Sequence, residues 1–242
     1  MKYEFLRVKD IEQCFSDYEN KLFLTFDIDW ASDDVLSHTI DLLEKHNVCA
    51  TFFVTHETPL LARLRSNSAF ELGIHPNFNF LLNGDFRYGK NPAEVIDYYL
   101  KMVPDAVSVR SHSVTYNSQI LDTLYNRKLK YDLNIYLPRR SGIISKPVLF
   151  PGYGMTRLPY FWEDDDHFLY DEDPDASLYL EHAGLKIFDF HPIHVFLNSE
   201  NHARYDKARN DLQNFAKLKE HVNKEPHGIN GFINGLIKTA LK

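Results

Sequence analysis

The chain alternates short apolar runs with stretches whose apolar residues recur at helical spacing. Residues 22–26 form an apolar run bounded by polar positions, the pattern of a strand buried on both faces. Ser32, with Asp33 and Asp34 behind it, predicts a helix cap with acids in the first turn. Val35, Ile40, Leu42 and Leu43 then give that helix its apolar face, up to about His46. Residues 48–54, rich in β-branched and aromatic side chains, read as the next strand, and a short helix over 60–65 leads to a strand over 70–74. Asn91-Pro92 sets a capping residue before proline at a first helical position, with Val95, Ile96, Tyr99 and Leu100 on the buried face. A short strand over 106–109 delivers Arg110, Ser111 and His112, and Ser118 caps a helix bearing Ile120, Leu121, Leu124 and Tyr125. Strands over 132–137 and 147–150, a Gly/Pro-rich stretch through Pro159, a strand over 185–190 and helices over 208–222 and 231–241 complete the pattern. Repeated βα units of this kind imply a parallel sheet, either closed as a barrel or open and doubly wound. No linker or repeat interrupts them, so the 242 residues read as a single domain.

Three strand ends carry the chemistry. Thr25-Phe26-Asp27-Ile28-Asp29-Trp30, Gly73-Ile74-His75-Pro76-Asn77-Phe78-Asn79 and Phe188-Asp189-Phe190-His191-Pro192-Ile193-His194 each run from an apolar strand into a carboxylate or an imidazole. Parallel α/β folds present catalytic groups at the carboxyl ends of their strands. Two carboxylates and several histidines delivered there suggest a hydrolase built around one divalent metal. Asp27 and Asp29 point to the same side of an extended strand. Two carboxylates crowded at a buried strand end repel unless a positive group joins them. His191 and His194 would share a helix face, but Pro192 keeps His191 out of the helical region. Only one of the two is then expected in the site, and His191 is the better placed.

Composition changes this picture little. Hydrophobic residues at 44% and charged residues at 25% are ordinary for a globular protein. A net charge of -7 with no basic face argues against nucleic acid. Aromatics at 14% fit a large core better than a sugar platform. Cys14 and Cys49 suggest neither a disulfide framework nor a thiolate metal site. The first ten residues have no apolar signal region, and no stretch reaches the ~18 apolar residues needed to span a bilayer. A cytoplasmic protein is expected.

Thr25-Phe26-Asp27 with Asp29, Ala50-Thr51-Phe52-Phe53-Val54 and Glu71-Leu72-Gly73-Ile74-His75 resemble the polysaccharide deacetylase superfamily, carbohydrate esterase family four. The likeness spans about residues 22–194. Arg110-Ser111-His112-Ser113 and His191-Pro192-Ile193-His194 are similar to a bacterial branch associated with lipopolysaccharide O-antigen biosynthesis. The resemblance implies a distorted, parallel (β/α) barrel of seven or eight strands and removal of an acetyl group from an N-acetylated sugar or polysaccharide precursor. It implies Asp27 as general base, Asp29 and His75 as metal ligands, Arg110 as the partner that orients Asp27, and His191 as general acid. Zinc is the expected ion, with manganese, cobalt or nickel as alternatives.

Two positions depart from the family pattern. Ile28 separates two acids that are normally adjacent, which leaves the base and ligand roles of Asp27 and Asp29 exchangeable. Asn79 stands where a second histidine ligand is usual, so the third ligand is Asn79, or His112 or His194 in its stead. His112 and Trp162 are the expected substrate contacts. The segment Trp162-Glu163-Asp164-Asp165-Asp166-His167 resembles the family's Asp/Trp motif, which packs against the catalytic histidine; read plainly, it is a solvated acidic loop. The acids from Asp164 to Asp175 lack the spacing of a calcium loop. The alternatives are a hydrolase of another non-peptide C–N bond on the same fold, or a silent carbohydrate-binding protein. The partner implied is an acetylated sugar or glycan. The last helix packs on the barrel or mediates a homo-oligomer, and packing is favoured.

Overall fold

The structure, a computed structural model, describes residues 3–150, 152, 154–170 and 175–242. Parts of the Gly/Pro-rich stretch and of the acidic run before Asp175 lie outside the described residues. Among the described residues, ten strands form one sheet: β1 (Glu4–Phe5), β2 (Lys21–Asp27), β3 (Ala50–Val54), β4 (Phe70–Ile74), β5 (Ser108–Val109), β6 (Tyr131–Asp132), β7 (Val148–Phe150), β8 (Met155–Arg157), β9 (Trp162–Glu163) and β10 (Lys186–Phe190). The order is β7-β8-β6-β5-β4-β3-β2-β10-β9, with β1 beside β2. Every pairing between these strands is parallel except β7 on β8. The sheet curls until its two sides meet. The segment joining β8 to β9 links the two sides: the Tyr160 amide donates to the Ile135 carbonyl, just beyond β6, at 3.0 Å, and the Phe161 amide donates to the Ile187 carbonyl of β10 at 3.4 Å. The fold is thus a distorted (β/α) barrel.

Around it run α1 (Asp33–His46), α2 (Leu60–Ser66), α3 (Asn79–Leu82), α4 (Pro92–Met102), α5 (Ser118–Asn126), α6 (Asp164–Tyr170), α7 (Ala176–Leu180), α8 (Pro192–Leu197), α9 (His202–Ala208), α10 (Phe215–Leu218) and α11 (Ile229–Ala240). Strand alternation sorts the side chains into two cores. Leu22, Leu24 and Phe26 of β2, Phe52 of β3 and Phe188 and Phe190 of β10 pack outward with residues of the helices. Phe23, Phe53, Tyr131, Leu133, Leu158, Tyr160 and Ile187 fill the interior, joined by Val8, Ile11 and Cys14 of a 3₁₀ turn (Val8–Cys14). That turn closes the amino end: its Val8 amide donates to Thr51 Oγ1 and its Lys9 amide to Glu71 Oε2. The carboxyl end is left to the polar groups.

Gly73 shows how tightly the interior is filled. A Cβ there would lie 2.7 Å from the Phe53 ring and 2.8 Å from the Ser108 carbonyl oxygen. Gly73→Ala is expected to destabilise the fold by about 1–3 kcal/mol through overpacking. Unchanged denaturant unfolding would contradict this packing.

Several expected elements differ in extent. The strand expected over 132–137 is regular only at Tyr131–Asp132, because the Asn134 amide turns back to Asp132 Oδ1 at 3.1 Å. The helix expected over 208–222 breaks into short turns. Asn210 and Asp211 interrupt it, since such side chains compete for backbone hydrogen bonds, and Asn214 caps a new start at Lys217 N. Asn117, not Ser118, caps α5, accepting from the Ile120 amide. The apolar face of α11 is buried, with Phe232, Ile233, Leu236 and Ile237 inside.

Candidate active site

Arg110 leaves β5 pointing inward and is 1% exposed. Its guanidinium is committed on every side. Nε and Nη2 donate to the Asp27 carboxylate at 2.7–3.1 Å, Nη1 donates to Thr25 Oγ1 at 3.0 Å, and Nη2 also donates to Asp189. It lies between the rings of Phe53 and Tyr160, 4.6 and 5.1 Å away. Asp27 is therefore locked in place by a bidentate, charge-assisted pair. Burial pushes the Asp189 carboxyl up, against the pull of Arg110. The Thr25 hydroxyl donates to the Phe188 carbonyl at 2.7 Å, tying β2 to β10 beneath the site.

Above Asp27, three donor atoms form a near-equilateral triangle. His75 Nε2 lies 3.4 Å from Asp29 Oδ1, His112 Nδ1 lies 3.5 Å from the same oxygen, and the two nitrogens are 3.3 Å apart. Asp29 reaches this point from a left-handed turn rather than from strand alternation, with φ of 29° at Asp29 and 54° at Trp30. Its Oδ1 is buried and has no hydrogen-bond partner among the described residues. Burial alone would raise the Asp29 carboxyl, but the imidazoles of His112, His75 and His191 outweigh it and hold it well below the usual range. Burial pushes His75 down, toward the neutral form that binds metals. A tetrahedral zinc with ligands at about 2.0–2.1 Å has face edges of about 3.3–3.4 Å. The residues fit such an ion: three convergent N and O donors, one of them an unsatisfied buried oxygen.

His191 faces the triangle from the end of β10. Its Nδ1 donates to Asp164 Oδ1 and its amide to Asp164 Oδ2, both at 2.7 Å. Its Nε2 lies 3.7 Å from Asp29 Oδ2. Burial alone would lower this imidazole, but Asp164 foremost, with Asp165 and Asp29, holds it well above the ordinary histidine range. These groups line a cavity of about 150 Å³, with Tyr160, Glu163 and Asp165 on its wall. Tyr160 donates to Glu163 at 2.9 Å, and burial pushes the Glu163 carboxyl up to about 7.

The profile of the WbmS-like polysaccharide deacetylases matches residues 24–209. The chain belongs to that family. It is also similar to a crystal structure from Bordetella bronchiseptica described as a polysaccharide deacetylase involved in O-antigen biosynthesis. The two are 42% identical over 98% of each chain, with a TM-score of 0.91. A polysaccharide deacetylase structure from Mycobacterium smegmatis is 17% identical over 71% of this chain and 77% of that one, with a TM-score of 0.48. No curated protein matches.

Within this WbmS-like deacetylase, the expected site residues divide clearly. Asp27, Asp29, His75, Arg110, His112 and His191 converge on one cavity. Asn79 does not join them. Its amide donates to Ser113 Oγ at 3.1 Å and accepts from Thr115 Oγ1 at 3.4 Å, and His112 occupies the third corner instead. Trp162 is corrected from substrate contact to core: it is 1% exposed and stacked on Phe232 at 4.7 Å. His194 is turned away, bonded to Asp165 and Ser199. Asp189 and Tyr160 are not among the expected site residues, whereas Glu163 and Asp164 lie in the segment whose Asp/Trp resemblance sets it against the catalytic histidine. A carboxylate inside an apolar strand was the available signal for Asp189, and the Asp/Trp segment was that for Asp164.

Proposed function

We propose that the cavity removes an acetyl group from an N-acetylated sugar, with zinc held by Asp29 Oδ1, His75 Nε2 and His112 Nδ1. The observation that carries this reading is the donor triangle with the His191 imidazole, held by Asp164, facing it. Three protein ligands with a fourth position open is the arrangement of a catalytic rather than a structural zinc. When bound, such an ion acidifies water and polarises the acetyl carbonyl.

The chain's own residues supply the proton transfers. Asp27, fixed by Arg110, takes the proton of the attacking water, whose oxygen forms the new bond to the acetyl carbon. His191 carries its mobile proton on Nε2, because Nδ1 is engaged by Asp164. It gives that proton to the nitrogen as the C–N bond breaks, so acetate and an amine leave. The hydrogen bond from Tyr160 keeps Glu163 at the wall, where it can accept from sugar hydroxyls.

Chelator-stripped protein should bind one zinc per chain and then release acetate from members of an N-acetylhexosamine panel. Asp29→Ala, His75→Ala and His112→Ala should each lose stoichiometric zinc. Zinc binding with hydrolysis of other amides alone would favour a different C–N bond as substrate. A wild type that binds none of zinc, manganese, cobalt or nickel would favour a carbohydrate-binding role.

A further inference from the structure

The turn that carries Arg110 and His112 into the site is held in a conformation that it would not choose alone. Ser113 and Val114 both have positive φ, 55° and 51°. For a β-branched residue such as Val114 this is a true outlier. Backbone in such regions persists only where its surroundings over-determine it. Two asparagines that the proposed chemistry does not use supply the constraint, one from each side.

Asn134 holds the turn from inside. It is fully buried, and its Oδ1 accepts from the Ser111 amide at 2.8 Å. Ser111 lies between Arg110 and His112, so one hydrogen bond fixes the orienter of Asp27 and a metal-facing imidazole together. Asn134 is itself oriented: its Nδ2 donates to Asp132 Oδ1 at 2.6 Å, and Arg157 Nε donates to Asp132 Oδ2 at 2.6 Å. Asp132 is fully buried as well. Asn79 holds the turn from outside, through its contacts to Ser113 and Thr115, and the His112 amide donates to the Pro76 carbonyl at 3.0 Å.

We propose that Asn134 and Asn79 are positioning residues that clamp the strained turn so that His112 Nδ1 meets His75 and Asp29 at metal-binding distance. This rests on the zinc reading above. The two side chains give the same service under different conditions. Asn134 acts in the buried interior, where an unpaired Ser111 amide would find no water. Asn79 is only half-buried and its bond to Ser113 is exposed, so that bond contributes little to folding. The two roles can therefore be separated by experiment.

The test is zinc affinity, measured by competition with a chromophoric chelator, beside thermal unfolding of the zinc-free protein. Asn134→Ala is expected to weaken zinc by roughly 10–100-fold, the usual effect of removing a group that orients a ligand. Asn79→Ala and Ser113→Ala are expected to weaken it several-fold while the zinc-free protein unfolds at the wild-type temperature. The double variant Asn79→Ala/Ser113→Ala should be no weaker than Asn79→Ala alone, since Asn79→Ala already breaks the contact to Ser113 along with that to Thr115. Cobalt-loaded Asn134→Ala should also lose the intense visible absorption of a four-coordinate site. If Asn134→Ala does not fold, Asn79→Ala and Ser113→Ala decide. Zinc affinity within twofold of wild type in the folded variants would overturn the clamp. A wild type that binds no zinc would instead overturn the reading beneath it.

Discussion

Replacing Arg110 by methionine should cost about 3–5 kcal/mol of stability, the usual penalty for deleting one partner of a buried ion pair. The reason is the company Arg110 keeps. Its side chain is 1% exposed, and those of Asp27 and Asp189 are 5% and 3% exposed. Without it two carboxylates share a dry interior with no cation between them. At this chain length the loss corresponds to a fall in melting temperature of about 10 °C. The deficit should also depend on pH. Burial already raises the Asp189 carboxyl, and Arg110 opposes that rise. With Arg110 gone the carboxyl climbs further above its unfolded value. A raised carboxyl favours the fold while it is protonated, and that contribution is lost as pH rises through the folded value. The gap between variant and wild type should therefore be smallest in acid and widen toward neutrality. Adding Asp189→Asn should recover part of the stability without restoring activity, because Asp27 still lacks its fork. A melting temperature unchanged from wild type at pH 7 would show that this charge cluster does not support the fold.

Much of the site was legible because strands announce their ends. The apolar runs before Asp27, His75, Arg110 and His191 mark buried strands, and the first polar residue after each lies at the barrel mouth. What sequence conceals is which strand lies next to which. Asp189 was visible as an acid in an apolar strand, but its meeting with Arg110 depends on β10 lying beside β2 across the interior from β5. Asp164 is half-legible: four acids in a row read plainly as a solvated loop, while the Asp/Trp resemblance sets them against the catalytic histidine, and Asp164 is fully buried with both oxygens on His191. Asn79 stands where the family carries a second histidine ligand, four residues after His75. Pro76 and the following turn carry it outward, while His112 arrives from a different strand. Strand alternation predicts Asp29 on the same side as Asp27, but β2 ends at Asp27 and a left-handed turn brings Asp29 into the cavity instead. Trp162 sits among acids, but the two-residue strand that bears it lies beneath α11. In each case the residue type was readable and its partner was not.

His191→Gln should lower kcat on an N-acetylated sugar by about 10²–10⁴-fold, the range expected for losing a positioned general acid. Zinc affinity should stay near wild type, because His191 stands outside the donor triangle. A fall in rate alone would not separate an acid from a substrate contact, but the leaving group does. An amine departing from a tetrahedral centre needs a proton, whereas 4-nitrophenolate does not. His191→Gln should therefore hydrolyse 4-nitrophenyl acetate at close to the wild-type rate while failing on the amide. Asp164→Asn adds a second, graded test. Asp164 is the foremost cause of the raised His191 imidazole, so its loss lets that value fall. A general acid works only while protonated, and activity declines as pH rises through its pKa. The alkaline limb of the kcat profile should therefore move to lower pH in Asp164→Asn, with the acid limb unmoved. Equal losses on the amide and on the aryl ester would remove His191 from the proton-transfer step and leave it as a contact for the sugar.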